Sequence, residues 1–386
     1  MLDCRRAAAA VRTAGFATCL KRLSAAFLLS AAMVLPAAAQ DGRRALVGYY
    51  PSWFEATSQS LAASSDAYTH IVVAFARPDF AWDGTSWTGT GLQFASSPEA
   101  IRAEIDALHR RHIRVLLAVG GATYLDWAPL AAEASPGPVT AALRAFVEKL
   151  GFDGIDVDYE PDGAAPERIA EYRAAIKALR RAAGPDKLLT LAAWSTGADC
   201  TADTGSEACG GKISLWPGRS GRERLVFRDT TLFSQLNMIS VMSYDAGVEH
   251  FDPVKAWSLY RALVPSSITL NIGFEIAPEG WGNATLVADD AKAVCPGSVT
   301  LGDAFGNDVD KPYSVSRILR EGPLTPRKNS NPQDGAMLWH IVKDRNLPAC
   351  GRPVAVSPRE LELTARVLLD RQRSASPAFS EDTDDH

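Results

Sequence analysis

Residues 153–160 read Asp-Gly-Ile-Asp-Val-Asp-Tyr-Glu. Asp156, Asp158 and Glu160 are two apart, with Ile155, Val157 and Tyr159 between them. Residues two apart share one face of a strand, so this segment lines three carboxylates along one side and an apolar stripe along the other. Carboxylates about 6–7 Å apart cannot all ionise cheaply in a partly dry site. At least one keeps a proton near neutral pH, and acid catalysis is the chemistry such an arrangement serves. A calcium loop competes for the same composition. An EF-hand loop, however, needs Gly at its sixth position and polar residues between its ligands, and neither is present. No Cys or His spacing fits a zinc site, so neither a metal nor any other cofactor is expected.

The elements that must hold these acids are legible as eight short apolar runs: 45–50, 69–75, 113–119, 153–160, 188–194, 237–244, 268–274 and 336–342. Near-continuous apolar runs imply strands covered on both faces, as in a parallel sheet. Helix signals fall between them. Residues 98–111 and 166–183 both open on Pro-Glu and close on basic residues, and 358–373 form a last amphipathic segment. This alternation predicts an α/β fold of the (β/α)8 barrel type. The open doubly wound sheet is the alternative, but it lacks here a Gly-rich phosphate loop after a strand. The interval from about 275 to 335, with Trp281 and Cys295, is longer than one helix requires and reads as an insertion between strands seven and eight.

Barrel active sites lie at the C-terminal ends of the strands. Glu160 is then expected at the rim, Asp158 one layer down and Asp156 deeper. Met242 and Tyr244 share a face at the end of the sixth run, and Asp245 begins its loop. Tyr49 and Tyr50 end the first run, Phe75 the second, and Trp339 lies in the eighth. Acids ringed by aromatics match a sugar, whose faces stack on rings while its polar groups need hydrogen-bond partners. Asp153 is out of phase with the other acids and reads as structural, capping or pairing at the strand start. Trp53, Trp82, Trp87, Trp216 and Trp281 lie in or near loops, where each is either a distant sugar platform or, on the simpler reading preferred for each singly, a partly buried ring.

The 386 residues are 47% hydrophobic and 22% charged with net charge −5, an ordinary soluble composition with no basic character for nucleic acid. Lys21 and Arg22, an apolar run from Leu23 to Leu35, and Pro36-Ala37-Ala38-Ala39 read as a secretory signal cleaved after Ala39. The expected organisation is a signal over 1–39, a catalytic barrel over 40–373 and an acidic, disordered tail over 374–386. The product is then secreted or periplasmic, free of the membrane once cleaved, and monomeric. Cys4 and Cys19 leave with the signal. Cys200, Cys209, Cys295 and Cys350 remain and suit two disulfides. Three pairings are possible. Cys200–Cys209 closes a short polar loop and is the expected one, leaving Cys295–Cys350.

The chain resembles glycoside hydrolase family 18, which holds chitinases, certain endo-β-N-acetylglucosaminidases and inactive chitin-binding lectins. Asp153, Asp156, Asp158 and Glu160 match the signature Asp-x-x-Asp-x-Asp-x-Glu, and Met242, Tyr244 and Asp245 match Met-x-Tyr-Asp. Gly48-Tyr49-Tyr50-Pro51-Ser52-Trp53, Ala74-Phe75 and Trp339 resemble the family's first, second and eighth strands. The resemblance implies a chitinase acting on chitin or chitooligosaccharides by retaining, substrate-assisted hydrolysis. Glu160 is the implied general acid and base. Asp158 orients the acetamido N–H, Asp156 shares a proton with Asp158, and Tyr244 donates to the acetamido group. Tyr49, Phe75, Gly120, Gly121, Met242, Asp245 and Trp339 are the implied substrate contacts. Two departures stand out: Ala118 replaces a Ser, and Ala122 follows Gly120-Gly121 where an aromatic is common. Trp127 is the aromatic considered as its substitute. The endo-β-N-acetylglucosaminidase reading uses the same acids. The lectin reading is opposed by the presence of both Glu160 and Asp158.

Overall fold

The apolar runs form parallel strands: β1 Leu46–Pro51, β2 His70–Ala76, β3 Arg114–Gly120, β4 Gly154–Asp158, β5 Leu188–Trp194, β6 Met238–Met242, β7 Thr269–Glu275 and β8 Gly335–Trp339. Each pairs with its neighbours in sequence. β8 also pairs with β1, Leu46 opposite Ala336 and Gly48 opposite Leu338, which closes the sheet into a barrel. The computed structural model describes residues 42–133, 137–214, 218–244, 253–275, 315–342 and 358–371, and the backbone of four short strands at 301–302, 308–309, 345–349 and 352–356. The expected signal, Asp245, Trp216, Trp281, Cys295, Cys350 and the tail lie outside these residues.

Helices wrap the barrel: α1 Pro98–His109, α2 Pro138–Leu150, α3 Pro166–Ala183, α4 Pro253–Leu263, α5 Val315–Glu321 and α6 Pro358–Arg371. Their ends follow from local chemistry. The Ser97 hydroxyl accepts the Ala100 N–H before Pro98 and Glu99 open α1. Glu167 sits in the first turn of α3 and Arg180 and Arg181 in its last, each complementing the helix dipole. α1 stops two residues short of the expected 111, because Arg111 and His112 turn back onto it and His112 takes a φ of 59°.

Three strands are shorter than their apolar runs, among them β8, which ends at Trp339 rather than at 342. β4 ends at Asp158, two residues before Glu160. β6 ends at Met242 because Ser243 substitutes its side chain for the ladder: Ser243 Oγ donates to the Gly273 carbonyl (3.1 Å) and accepts the Gly273 N–H (2.9 Å). Strand alternation sorts the rest. Ile155, Val157 and Tyr159 are buried on the helix side, where the Tyr159 ring stacks on Tyr172 of α3 with centroids 4.1 Å apart. The acids on the other face enter the barrel.

Candidate active site

Asp156 is buried inside the barrel with both oxygens engaged. Tyr49 Oη on β1 donates to Oδ2 (2.8 Å) and Thr190 Oγ1 on β5 donates to Oδ1 (2.5 Å). Burial pushes its carboxyl up to about 6, against the pull of the Thr190 and Tyr49 hydroxyls. Two residues on, Asp158 is also buried. Burial first, then the charges of Glu160 and Asp156, lift it well above the usual carboxylate range, and Arg219 and Arg222 only partly offset them. Asp158 Oδ1 is buried without a hydrogen-bond partner among the described residues. A buried acceptor left so is costly unless the group is protonated or meets a donor from a ligand.

Asp158 and Glu160 open into a cleft of about 420 Å³ at the C-terminal end of the barrel. Its wall follows the period of two: Tyr49 from β1, Phe75 from β2, Ala192 and Trp194 from β5, Met242 and Tyr244 from the end of β6, and Trp339 from β8. Trp339 stacks near Phe75 (5.6 Å between centroids) and meets Tyr49 edge-on (5.8 Å). Trp53, 37% exposed, extends this aromatic floor outward at 6.1 Å from Phe75. Tyr244 Oη lies 3.7 Å from Met337 Sδ. Burial, then the charges of Asp156 and Asp158, raise the Tyr49 hydroxyl, so it remains a donor.

Several expected residues sit elsewhere than the resemblance implies. Gly120 and Gly121 are buried behind the cleft wall. A Cβ on Gly120 (φ 112°) would collide with the Asp158 carbonyl, and one on Gly121 (φ 82°) would lie 2.8 Å from the Phe75 ring. These glycines therefore let β3 approach β4 and β2 closely. Trp127 is fully buried against Tyr159, 5.1 Å between centroids, and cannot replace the aromatic absent at Ala122. Tyr124, two residues beyond Ala122, lines the cleft instead, its hydroxyl donating to the Gly91 carbonyl (3.0 Å). Asp153 lies at the opposite end of β4. Its Oδ2 accepts the Val115 N–H (2.7 Å) and sits 2.9 Å from His109 Nε2. Burial pushes this carboxyl up, but His109 and the Val115 N–H together draw it lower. Trp82 and Trp87 pack edge-on against Phe146, the ordinary partial burial expected of them.

Sequence reasoning missed Thr190, Trp194, Tyr124 and Arg219. Thr190 had a faint signal, a hydroxyl in an otherwise apolar run and two residues from Ala192 on the inward face. Arg219 had none, since it lies in a loop whose path no local pattern encodes. The Cys200–Cys209 disulfide is present and closes that same loop region. Among the described residues no three His, Cys, Asp or Glu side chains form a metal-binding group. No described helix is long and apolar enough to cross a membrane.

Comparison with known proteins bears on the family and the fold. The family model of glycosyl hydrolases family 18 matches residues 45–293. A chitinase of Plasmodium falciparum (isolate 3D7) is 30% identical over 183 residues, 41% of this chain and 45% of that protein. A chitinase of Enterococcus faecalis is 30% identical over 173 residues, 39% of this chain and 46% of that protein. The matches thus span under half the length of these relatives. Among solved structures, a chitinase from Rhizomucor miehei superposes with TM-score 0.50 at 20% identity over 84% of this chain and all of that one. A family 18 chitinase from Chromobacterium violaceum gives 0.51 at 17% identity, covering 84% and 83%. At such identities these two speak to the fold.

Proposed function

This chain belongs to glycosyl hydrolases family 18, and from that premise we propose that it is a chitinase that hydrolyses β-1,4-linked N-acetylglucosamine chains with retention, using the substrate's own acetamido group as nucleophile. The observation that carries the reading is the graded set of carboxylates on one strand face. Asp156 is saturated with hydrogen bonds, Asp158 is buried with an unpartnered Oδ1 among the described residues, and Glu160 stands at the cleft.

Each residue then has a part in a balanced reaction. Glu160 gives its proton to the glycosidic oxygen, which leaves with the electron pair of the C1–O bond. The acetamido oxygen closes onto C1, forming an oxazolinium-like ring. Asp158 accepts the acetamido N–H and offsets the positive charge that develops. Asp156, held by Tyr49 and Thr190, raises the proton affinity of Asp158 through its charge. Tyr244 donates to the acetamido oxygen. Water then attacks C1, its proton passing to Glu160, and the ring reopens with retained configuration. The tethered nucleophile supplies effective concentration. Phe75, Trp339 and Trp53 supply the faces on which sugar rings stack. The Cys200–Cys209 disulfide supports an oxidising compartment and so the exported form.

The test is product analysis on chitotetraose and a high-mannose glycopeptide side by side, with Glu160→Gln as control. Chitobiose from the first alone is expected. Release of a glycan from the second alone would move the chain to the endo-β-N-acetylglucosaminidases. Chitin binding without cleavage of either would make it a lectin.

A further inference from the structure

The loop after β5 brings two arginines to the acid at the cleft. Arg219 Nη1 donates to Glu160 Oε2 (3.0 Å) while its Nε donates to Asp162 Oδ1 (2.9 Å). Its guanidinium lies over the Trp194 ring, 4.3 Å from the centroid. The side chains of Arg219 and Glu160 are only 16% and 13% exposed, so the pair is largely withdrawn from water. Three residues on, the fully buried Arg222 donates to the Tyr159 carbonyl (3.0 Å) and the Pro161 carbonyl (2.8 Å), the two residues that flank Glu160. Glu223 neutralises Arg222 at 2.7 Å. The loop is pinned to the end of β5. Gly221, at a φ of 72°, donates its N–H to the Thr196 carbonyl (3.0 Å), and Ser220 Oγ donates to Thr196 Oγ1 (2.9 Å).

We propose that Arg219 is a positioning residue for Glu160: it holds the carboxylate at one place in the cleft and favours its ionised form, while Arg222 fixes the peptide on which Glu160 stands. The proposal rests on the hydrolytic reading above, because the two halves of that reaction ask opposite things of Glu160. In the first half it carries a proton, and in the second it takes one from water. A guanidinium at 3.0 Å holds Glu160 ionised, which opposes its carrying the proton that the first half needs and weakens it as the base of the second. Substrate binding must therefore loosen the pair. Asp162, 85% exposed and already bonded to Arg219, is the carboxylate on which the guanidinium comes to rest, and the Trp194 face keeps it nearby. Among the described residues, the titratable and charged groups around Glu160 are Asp158 and Asp156 below it, Tyr49 and Tyr244 across the cleft, and Asp162, Arg219, Arg222 and Glu223 on the loop side. Arg219 bonds the Glu160 carboxylate directly, whereas Arg222 spends its donors on carbonyls and Glu223.

The deciding experiment titrates Glu160 itself, by carboxyl carbon NMR of protein labelled at glutamate Cδ, with Glu160→Gln assigning the resonance. It needs no substrate. In Arg219→Met the midpoint is expected to rise relative to wild type, and in Arg219→Lys, which keeps the charge and loses the fork, to return most of the way. A midpoint that does not move in either folded variant overturns the proposal. On N-acetylglucosamine oligomers, Arg219→Met is expected to lower kcat about tenfold with KM nearly unchanged, and to carry the alkaline limb of the kcat/KM profile to higher pH. A raised KM with kcat and the limb unmoved would make Arg219 a sugar contact and sink the positioning role. Should wild type cleave no such oligomer, the hydrolytic reading fails while the titration still decides whether Arg219 governs Glu160.

Discussion

At the scale of single residues, burial sets the chemistry of the acids more than their spacing does. Asp156 and Asp158 are both lifted by desolvation, Asp156 to about 6. Its folded-state value thus lies above the 3.8 of a free aspartate, so the native state binds the extra proton between those two pH values. That contribution to stability is whole below about pH 4 and lost as pH rises through about 6. Asp156→Asn should flatten the decline, amounting to about 3 kcal/mol by pH 7, leaving the part owed to Asp158. Urea unfolding at pH 4, 5, 6 and 7 measures it, and equal slopes in variant and wild type would contradict the burial argument. Asp158→Asn should cut kcat by about 10²–10³-fold while leaving the melting temperature level or higher, because a neutral amide no longer carries a buried charge. Unaltered turnover would refute its role.

Among the elements, the loop between β5 and β6 does the most for the site and was the least legible. It carries Arg219 and Arg222, and it is tied by the Cys200–Cys209 bond, the Ser214 N–H on the Cys200 carbonyl (2.7 Å), and Arg224 on the Ala198 carbonyl (2.9 Å). Loop-closure entropy puts the disulfide at roughly 2–3 kcal/mol. Paired Cys200→Ser and Cys209→Ser substitutions should lower the unfolding midpoint accordingly. Hydrogen exchange should quicken at Gly221 and Arg224, whose N–H groups bond Thr196 and Gly197, before it quickens in β4. Uniform exchange across loop and barrel would show that the bond braces the whole fold.

For the molecule as a whole, the barrel seam is where the first and last strands must meet. Asp334, just before β8, is wholly buried there. It accepts two contacts from Arg261 of α4 (2.9 and 3.3 Å), the Leu270 N–H of β7 (2.8 Å) and the Asn331 N–H (3.0 Å), while its carbonyl takes Arg44 ahead of β1 (2.9 Å). Asp334→Ala strands the Arg261 charge and should cost about 3–5 kcal/mol, with kcat per folded molecule unchanged because the seam lies away from the cleft wall. Calorimetry beside active-site titration checks both halves. A drop in kcat per active site at retained stability would place the seam in the catalytic machinery.

The sequence by itself determined the eight barrel strands and the shared face of the three acids, since periods of two and 3.6 are local properties that neighbours in the chain carry, whereas the four short strands outside the barrel had no reading in it. It put Asp153 apart by phase alone, and the His109 and Val115 contacts agree. It also singled out the Cys200–Cys209 pair, which a short loop holds close. Only the tertiary structure decided what surrounds the acids. Thr190 reaches Asp156 through the register between β4 and β5. Gly120 and Gly121 are glycines because neighbouring strands press on them, and Trp127 is taken into the core while Tyr124 faces the cleft. Arg219 meets Glu160 across 59 residues of chain. Such contacts arise from where barrel closure brings distant loops, and no pattern within a single segment encodes that.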